Sequence, residues 1–93
     1  MNLFNEYQQK LIEALKPGDR VKNVFKVLEI QKRTKKNGEA FLSLELRDPT
    51  GKIGAKIWTQ VDTHLSMIRA GELYRFSGTV NEYQNQPQLK IES

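Results

Sequence analysis

The stretch FLSLELRDPTGKIGAKIW, residues 41–58, decides the fold of this 93-residue chain. Across residues 41–47 a leucine occupies every second position, and this alternation predicts a strand with one buried face. Residues 48–51 have the composition of a tight turn, with proline early and glycine late. Apolar residues alternate again across residues 52–58, so the whole stretch predicts an antiparallel hairpin.

The two faces of this hairpin differ in chemistry. The alternation turns six apolar side chains inward, namely Leu42, Leu44, Leu46, Ile53, Ala55 and Ile57. On the outer face it places Phe41 and Ser43 beside Lys56 and Trp58. An outward aromatic patch on a strand usually marks a surface that binds a partner.

The rest of the chain supplies three further predicted strands. Residues 21–32 carry apolar side chains on both faces, as does a long bent strand that serves two sheets of a closed barrel. Strands four and five are predicted over residues 73–83 and 87–91, joined through residues 84–86. Their inward positions are Tyr74, Phe76, Gly78, Val80, Leu89 and Ile91.

A short helix is predicted between strands three and four, over residues 59–71. Residues 59–62 resemble a capping box in which a shorter acid takes the fourth place. Val61, Leu65 and Ile68 follow at helical spacing, and we expect them to face the barrel and plug one end of it.

Residues 1–16 predict an amphipathic helix ahead of the barrel. Apolar residues recur there at helical spacing, at Phe4, Tyr7, Leu11, Ile12 and Leu15. Pro17 and Gly18 are expected to end this helix. A chain of this length holds one hydrophobic core, so residues 17–93 are assigned to a single barrel domain.

The composition restricts the classes of function. The chain has no cysteine and one histidine, His64, so we expect no disulfide, no Cys/His metal site and no cofactor. The first residues show neither a basic leader nor a long apolar run, so a cytoplasmic location without membrane contact is expected. The net charge of +4 favours anionic partners, and residues 32–36 concentrate four positive charges.

The order β-β-β-α-β-β and residues 37–58 resemble the oligonucleotide-binding (OB) fold, an all-β, five-stranded Greek-key barrel. The resemblance extends over about residues 17–91 and has two branches. One is the single-stranded DNA-binding domains of replication protein A, and the other is the N-terminal OB domain of bacterial HD-domain 3′→5′ exoribonucleases. The paired His and Asp of the HD motif are absent, so the hydrolytic half of the exonuclease is not expected in this chain.

The resemblance implies a binding site for single-stranded DNA or RNA. An aromatic residue at the position of Trp58 stacks on a base in replication protein A domains, and Tyr83 stands closest to their second stacking residue. The basic residues of 32–36 lie in a loop expected to close over the ligand. The candidate nucleic-acid-binding residues are Lys32, Arg33, Lys35, Lys36, Phe41, Ser43, Lys56, Trp58, Tyr83, Gln86, Gln88 and Lys90.

Plainer interpretations stay open for these residues. Phe41 and Trp58 could pack beneath a loop or the N-terminal helix, and the basic loop could be an ordinary solvated one. His64 is expected at the surface. The carboxylates Glu45, Asp48 and Glu82 show no acid–base pairing, so no catalytic residue is assigned.

Three functions fit this pattern. The first is a module that binds single-stranded nucleic acid with little sequence preference. The second is the substrate-binding part of a larger nuclease, and the third is a domain that docks a partner protein through Phe41 and Trp58.

Overall fold

The computed structural model describes residues 7–92 and confirms the predicted barrel. Its five strands close in the order β1-β2-β3-β5-β4, and one short helix follows β3. The elements are β1 Arg20–Thr34, β2 Ala40–Asp48, β3 Gly51–Ile57, α1 Val61–Met67, β4 Leu73–Tyr83 and β5 Gln86–Ile91. The order β-β-β-α-β-β is therefore present, and the fold is the OB barrel that the sequence predicts.

Strand β1 bends and serves both sides of the barrel. Its first half, Arg20 to Lys26, pairs with β4, and its second half, Lys26 to Thr34, pairs with β2. The pairing register shifts between Val27 and Glu29. Such a bulge increases local twist and lets one strand turn the corner of a barrel.

The barrel interior is filled by the alternating side chains that the sequence assigns to it. Buried residues come from every strand, and the largest fully buried side chains are Phe25, Leu42, Leu46, Ile57, Leu89, Val21, Val27 and Val80. The Pro49–Thr50 turn joins β2 and β3, with Asp48 opposite Gly51. The antiparallel hairpin predicted over residues 41–58 is therefore present, with its turn at the predicted residues.

The N-terminal helix prediction is wrong over residues 7–16, and its first residues, 1–6, lie outside the described part of the chain. Gln8 forms a parallel bridge with Val21, and only Ile12–Ala14 form a turn of 3-10 helix. The Gln8 N–H donates to the Arg20 carbonyl at 2.8 Å. The first part of β1 has backbone groups that β4 does not pair, and an extended segment can form hydrogen bonds with them. This tertiary pairing outweighs the helical spacing of the apolar residues.

Asp48 attaches this N-terminal segment to the β2–β3 turn. Its carboxylate accepts hydrogen bonds from the Ile12 N–H at 2.7 Å, the Thr50 N–H at 2.7 Å and the Thr50 hydroxyl at 2.6 Å. Burial raises the pKa of this carboxyl, but these bonds and one from the Gly51 N–H outweigh it, so its pKa lies below the usual value.

Helix α1 is shorter than predicted and begins differently. Gln60, not Thr59, occupies the N-cap position, with a left-handed φ of 49° and no side-chain cap hydrogen bond. Leu65 is 36% exposed, so the prediction that it faces the barrel is wrong, whereas Ile68, just past the helix, is buried. Seven residues make two turns, which is too short for the whole predicted apolar stripe to reach the barrel.

Gly78 of β4 lies directly against the backbone of β5. A Cβ atom at this position would collide with the backbone carbonyl of Lys90. We expect Gly78→Ala to lower the free energy of unfolding by about 1–3 kcal/mol or more, because a backbone group cannot rotate away. Urea denaturation measures this loss.

Gly54→Ala on β3 is the matched control for that substitution. Its added methyl would meet only the Gln88 side-chain amide at 3.7 Å, an ordinary contact. The unfolding free energy should stay within about 0.5 kcal/mol of the parent. Equal losses in the two variants would contradict the close β4–β5 approach.

Asp48→Asn tests the attachment of the N-terminal segment. The folded carboxyl has a lowered pKa, so its contribution is present above the unfolded value of about 3.9 and is lost as pH falls through the folded value. We expect the variant to be about 1–3 kcal/mol less stable near neutral pH. In urea titrations the difference in unfolding free energy between the parent and the variant should disappear below about pH 4. A difference that does not change with pH would show that the charge of Asp48 does not stabilise the fold.

Candidate nucleic-acid interface

The outward residues of four neighbouring strands form one continuous surface. On β2 and β3, Ser43 lies opposite Lys56, and Lys56 in turn lies opposite Lys90 on β5. On the other side, Arg33 of β1 lies opposite Phe41. The pairing register therefore brings residues that are distant in sequence onto the same face of the barrel.

Phe41 and Trp58 pack against each other on this surface. Their ring centroids are 4.5 Å apart and their planes differ by 26°, which is a stacked pair. Both side chains are half-buried, and neither belongs to the hydrophobic core cluster. Trp58 directly follows the last residue of β3. The two rings thus form one aromatic platform at the end of the β2–β3 hairpin.

Lysine ammonium groups lie next to the aromatic rings. The Lys35 Nζ is 4.9 Å from the centroid of Trp58, and the Lys56 Nζ is 5.3 Å from that of Phe41 and 4.5 Å from that of Tyr83. These distances are within the range of cation–π attraction. Positive charge is therefore held beside flat aromatic faces, which is the combination that single-stranded nucleic acid requires.

The turn between β1 and β2 holds Lys35 in place. The Lys35 N–H donates to the Glu39 carbonyl at 2.8 Å, and the Gly38 N–H donates to the Lys35 carbonyl at 2.9 Å. Asn37 Oδ1 accepts from the Glu39 N–H at 2.9 Å, and Gly38 adopts a φ of +90°, which suits glycine. The basic segment is therefore a closed, hydrogen-bonded turn.

A tight turn between β4 and β5 positions Tyr83. Gln84 and Asn85 form it, both with left-handed φ angles, of 50° and 64°. Positive φ at both central positions matches the twist of the flanking strands and keeps the connection to two residues. Tyr83, the last residue of β4, is 52% exposed and faces Lys56 across the surface.

These groups surround a groove of about 590 Å³. It contains most of the predicted binding residues, namely Arg33, Lys35, Lys36, Phe41, Lys56, Trp58, Tyr83, Gln88 and Lys90. The structure thus brings residues from all five strands and the β1–β2 turn to one site. Binding of nucleic acid in this groove stays a prediction.

Three predicted site residues lie outside the groove lining. Lys32 belongs to β1 and forms an ion pair with Asp62 of α1, with 2.7 Å between Nζ and Oδ1. Ser43 lines a neighbouring depression, and Gln86 lines another one beside Ile12. Lys32 and Arg33 were also expected in a loop, but β1 continues through them to residue 34.

Thr34 and Asn81 also line the groove, although the sequence did not single them out. Asn81 lies opposite Gln88 in the β4–β5 register. The alternation of β4, with Val80 inward, was a signal that Asn81 faces outward. Which residues stand opposite it depends on the strand register, and the register of β4 with β5 is a tertiary property.

The part of the chain that the structure describes, residues 7–92, contains no group of three His, Cys, Asp or Glu residues that could hold a metal ion. His64 lies on α1 and is half-buried. Over the same residues, no helix is both long and apolar enough to cross a membrane.

A closed five-stranded barrel with a cationic, aromatic groove across its outer face defines the OB class of nucleic-acid-binding domains. Comparison with family models agrees, since residues 26–93 match the model described as an OB-fold nucleic acid binding domain. The chain belongs to this family.

Similar proteins include a 3′-5′ exoribonuclease YhaM from Halalkalibacterium halodurans, 34% identical over 76 residues. The match covers 82% of this chain and 24% of that relative, so the chain spans about a quarter of its length. Among solved structures, the second OB-fold domain of replication protein A from Methanococcus maripaludis superposes with a TM-score of 0.68 at 21% identity, over 88% and 87% of the two chains. A replication protein A heterotrimer bound to ssDNA superposes with a TM-score of 0.65 at 20% identity, over 95% of this chain and 67% of the other. These two likenesses concern the fold.

Proposed function

We propose that the groove binds single-stranded nucleic acid with little sequence preference. The observation that carries this proposal is the Phe41–Trp58 platform with lysine ammonium groups beside it. Every base has a flat face that can stack on such a ring, and a lysine can contact any phosphate. In a duplex the base faces are already stacked on one another, so the platform suits an unpaired strand.

The groove also offers groups for the edges of bases. Gln88 and Asn81 lie opposite each other on β5 and β4, and amides donate to and accept from exposed base edges. They stand on the side of the groove formed by β4 and β5, where Tyr83 provides a third ring. Stacking and phosphate contacts supply the affinity, and the amides supply modest preferences among the bases.

As a second candidate, the chain is the substrate-binding part of a ribonuclease. Two observations favour it: the relative it matches is named a 3′-5′ exoribonuclease, and the chain spans about a quarter of that relative. In this proposal the groove holds RNA and the chain itself contributes no catalytic residue. A cytoplasmic location, where RNA is degraded, fits the same proposal.

Trp58→Ala tests the platform. Removing one ring of the stacked pair should cost about 0.5–1.5 kcal/mol of stability for the ring–ring contact, in addition to the apolar area that the half-buried side chain no longer buries. Binding to oligo-rU or oligo-dT should weaken by about 1–3 kcal/mol, because one base loses its stacking partner. Thermal melts and fluorescence-anisotropy titrations of labelled oligonucleotides measure the two effects separately.

Trp58→Phe is the matched control because it retains a flat face, and its affinity should lie between the parent and Trp58→Ala. If the alanine variant is strongly destabilised while its folded fraction binds normally, Trp58 is a packing residue and the proposed platform is wrong. Tighter binding of oligo-rU than of oligo-dU would support the ribonuclease candidate, since these two strands differ only at the 2′-hydroxyl.

Neutralising Lys35 and Lys36 together tests the phosphate contacts. The double alanine variant should bind every oligonucleotide sequence more weakly by a similar factor. The slope of log affinity against log salt should fall by at most about two ions. Lys16→Ala with Lys22→Ala removes the same charge from exposed positions outside the groove and should have a much smaller effect. A sequence-selective loss would argue against lysines that contact phosphate.

A further inference from the structure

A second cationic surface lies on the barrel, outside the groove. Lys26 of β1 stands opposite Arg47 of β2, and Arg47 stands opposite Lys52 of β3. All three side chains are exposed. We call these three residues the cationic row. The pairing register aligns three positive charges across three adjacent strands.

The cationic row has no anionic partner within the described part of the chain. The ion pairs found over residues 7–92 join Lys10 to Asp19, Lys32 to Asp62 and Lys35 to Glu39. Like charges directly opposite each other on neighbouring strands repel and destabilise the sheet. An anionic ligand that spans the row would relieve this repulsion.

Aliphatic surface adjoins the cationic row. Leu73 of β4 stands opposite Lys26 and is 66% exposed, and Val24 is 40% exposed. With Pro49, these side chains line a depression of about 440 Å³ that also includes Lys26 and Arg47. Asp48 borders it as well, but its carboxylate is already engaged by hydrogen bonds from Ile12 and Thr50. The surface therefore combines free positive charge with exposed aliphatic groups.

Two carboxylates separate this surface from the groove. Glu29 and Glu45 stand opposite each other on β1 and β2. Along the outer face of β2, Glu45 lies between Ser43, on the groove side, and Arg47 of the cationic row. Carboxylates repel phosphates, so a nucleic acid strand in the groove is not guided onward to the cationic row. The two basic surfaces are electrostatically distinct.

We propose that the cationic row and its aliphatic neighbours dock an acidic, aliphatic segment of a partner protein. Charge complementarity selects carboxylates for Lys26, Arg47 and Lys52. No aromatic ring is among the residues 7–92 that line the depression, so it offers no face on which a base could stack. Leucine, isoleucine or valine side chains of a partner find apolar contacts on Val24 and Leu73. The partner is thus a polypeptide and not a second stretch of nucleic acid.

A displayed library of random peptides, selected on the intact chain, is the probe. We expect the enriched peptides to combine Asp or Glu with aliphatic residues and to bind more weakly as salt rises. Lys26→Ala with Arg47→Ala should raise the Kd of the selected peptides roughly tenfold, and Leu73→Ser should also weaken them. Lys35→Ala with Lys36→Ala removes the same charge from the groove and should leave peptide binding unchanged. All these residues are exposed, and thermal melts verify that each variant folds.

Three results would overturn the proposal. The first is a selection that enriches no acidic, aliphatic peptides, and the second is peptides that bind the Lys26 and Arg47 variant as well as the parent. The third is an oligonucleotide affinity that falls as much in this variant as in the Lys35 and Lys36 variant, because the row would then be part of the nucleic-acid path. Loss of oligonucleotide binding in Trp58→Ala concerns the groove alone and should not affect the selected peptides.

Discussion

Closure of the barrel is the constraint on which the other features depend. Strand β1 has to pair with β4 along its first half and with β2 along its second, so it bends at the register shift between Val27 and Glu29. The opposite side closes where β3 runs parallel to β5 and β5 pairs with β4. At that seam Gly78 provides the space for the Lys90 carbonyl. Once the barrel closes, each strand has only an inner and an outer face.

The groove follows from this closure. The inner positions are filled mainly with aliphatic and aromatic core residues, so the cationic and amide side chains at the alternate positions face outward. The β3–β5 pairing is the step that places Lys90 beside Lys56, although thirty-four positions separate them in the chain. Stacked rings, ammonium groups and amides meet because five strands share one curved surface.

Charge on the outer face is arranged in bands. Rings and lysines occupy the end of the β2–β3 hairpin near Trp58, the Glu29–Glu45 pair lies in the middle, and Lys26, Arg47 and Lys52 lie toward the Pro49–Thr50 turn. The chain therefore has two separate basic areas, although its net charge is only +4. Aromatic neighbours suit one of them to bases, and aliphatic neighbours suit the other to a polypeptide.

The sequence by itself determined the strands, the inward positions and the candidate rings, because a period of two is a local property that each segment carries alone. It also determined the β2–β3 hairpin, since the turn residues and the two flanking patterns agree. It predicted a helix where residues 7–16 instead run along β1, because helical spacing does not reveal an available strand edge.

Only the tertiary structure decided which outward residues meet. Asn81 joins the groove through the β4–β5 register, whereas Lys32 stands opposite buried Leu42, on the other face of β1 from Arg33, and pairs with Asp62 of α1. The stacking of Phe41 on Trp58 and the alignment of Lys26 with Arg47 likewise depend on register. Register results from pairing between distant segments within a closed barrel, and no single segment of the sequence contains that information.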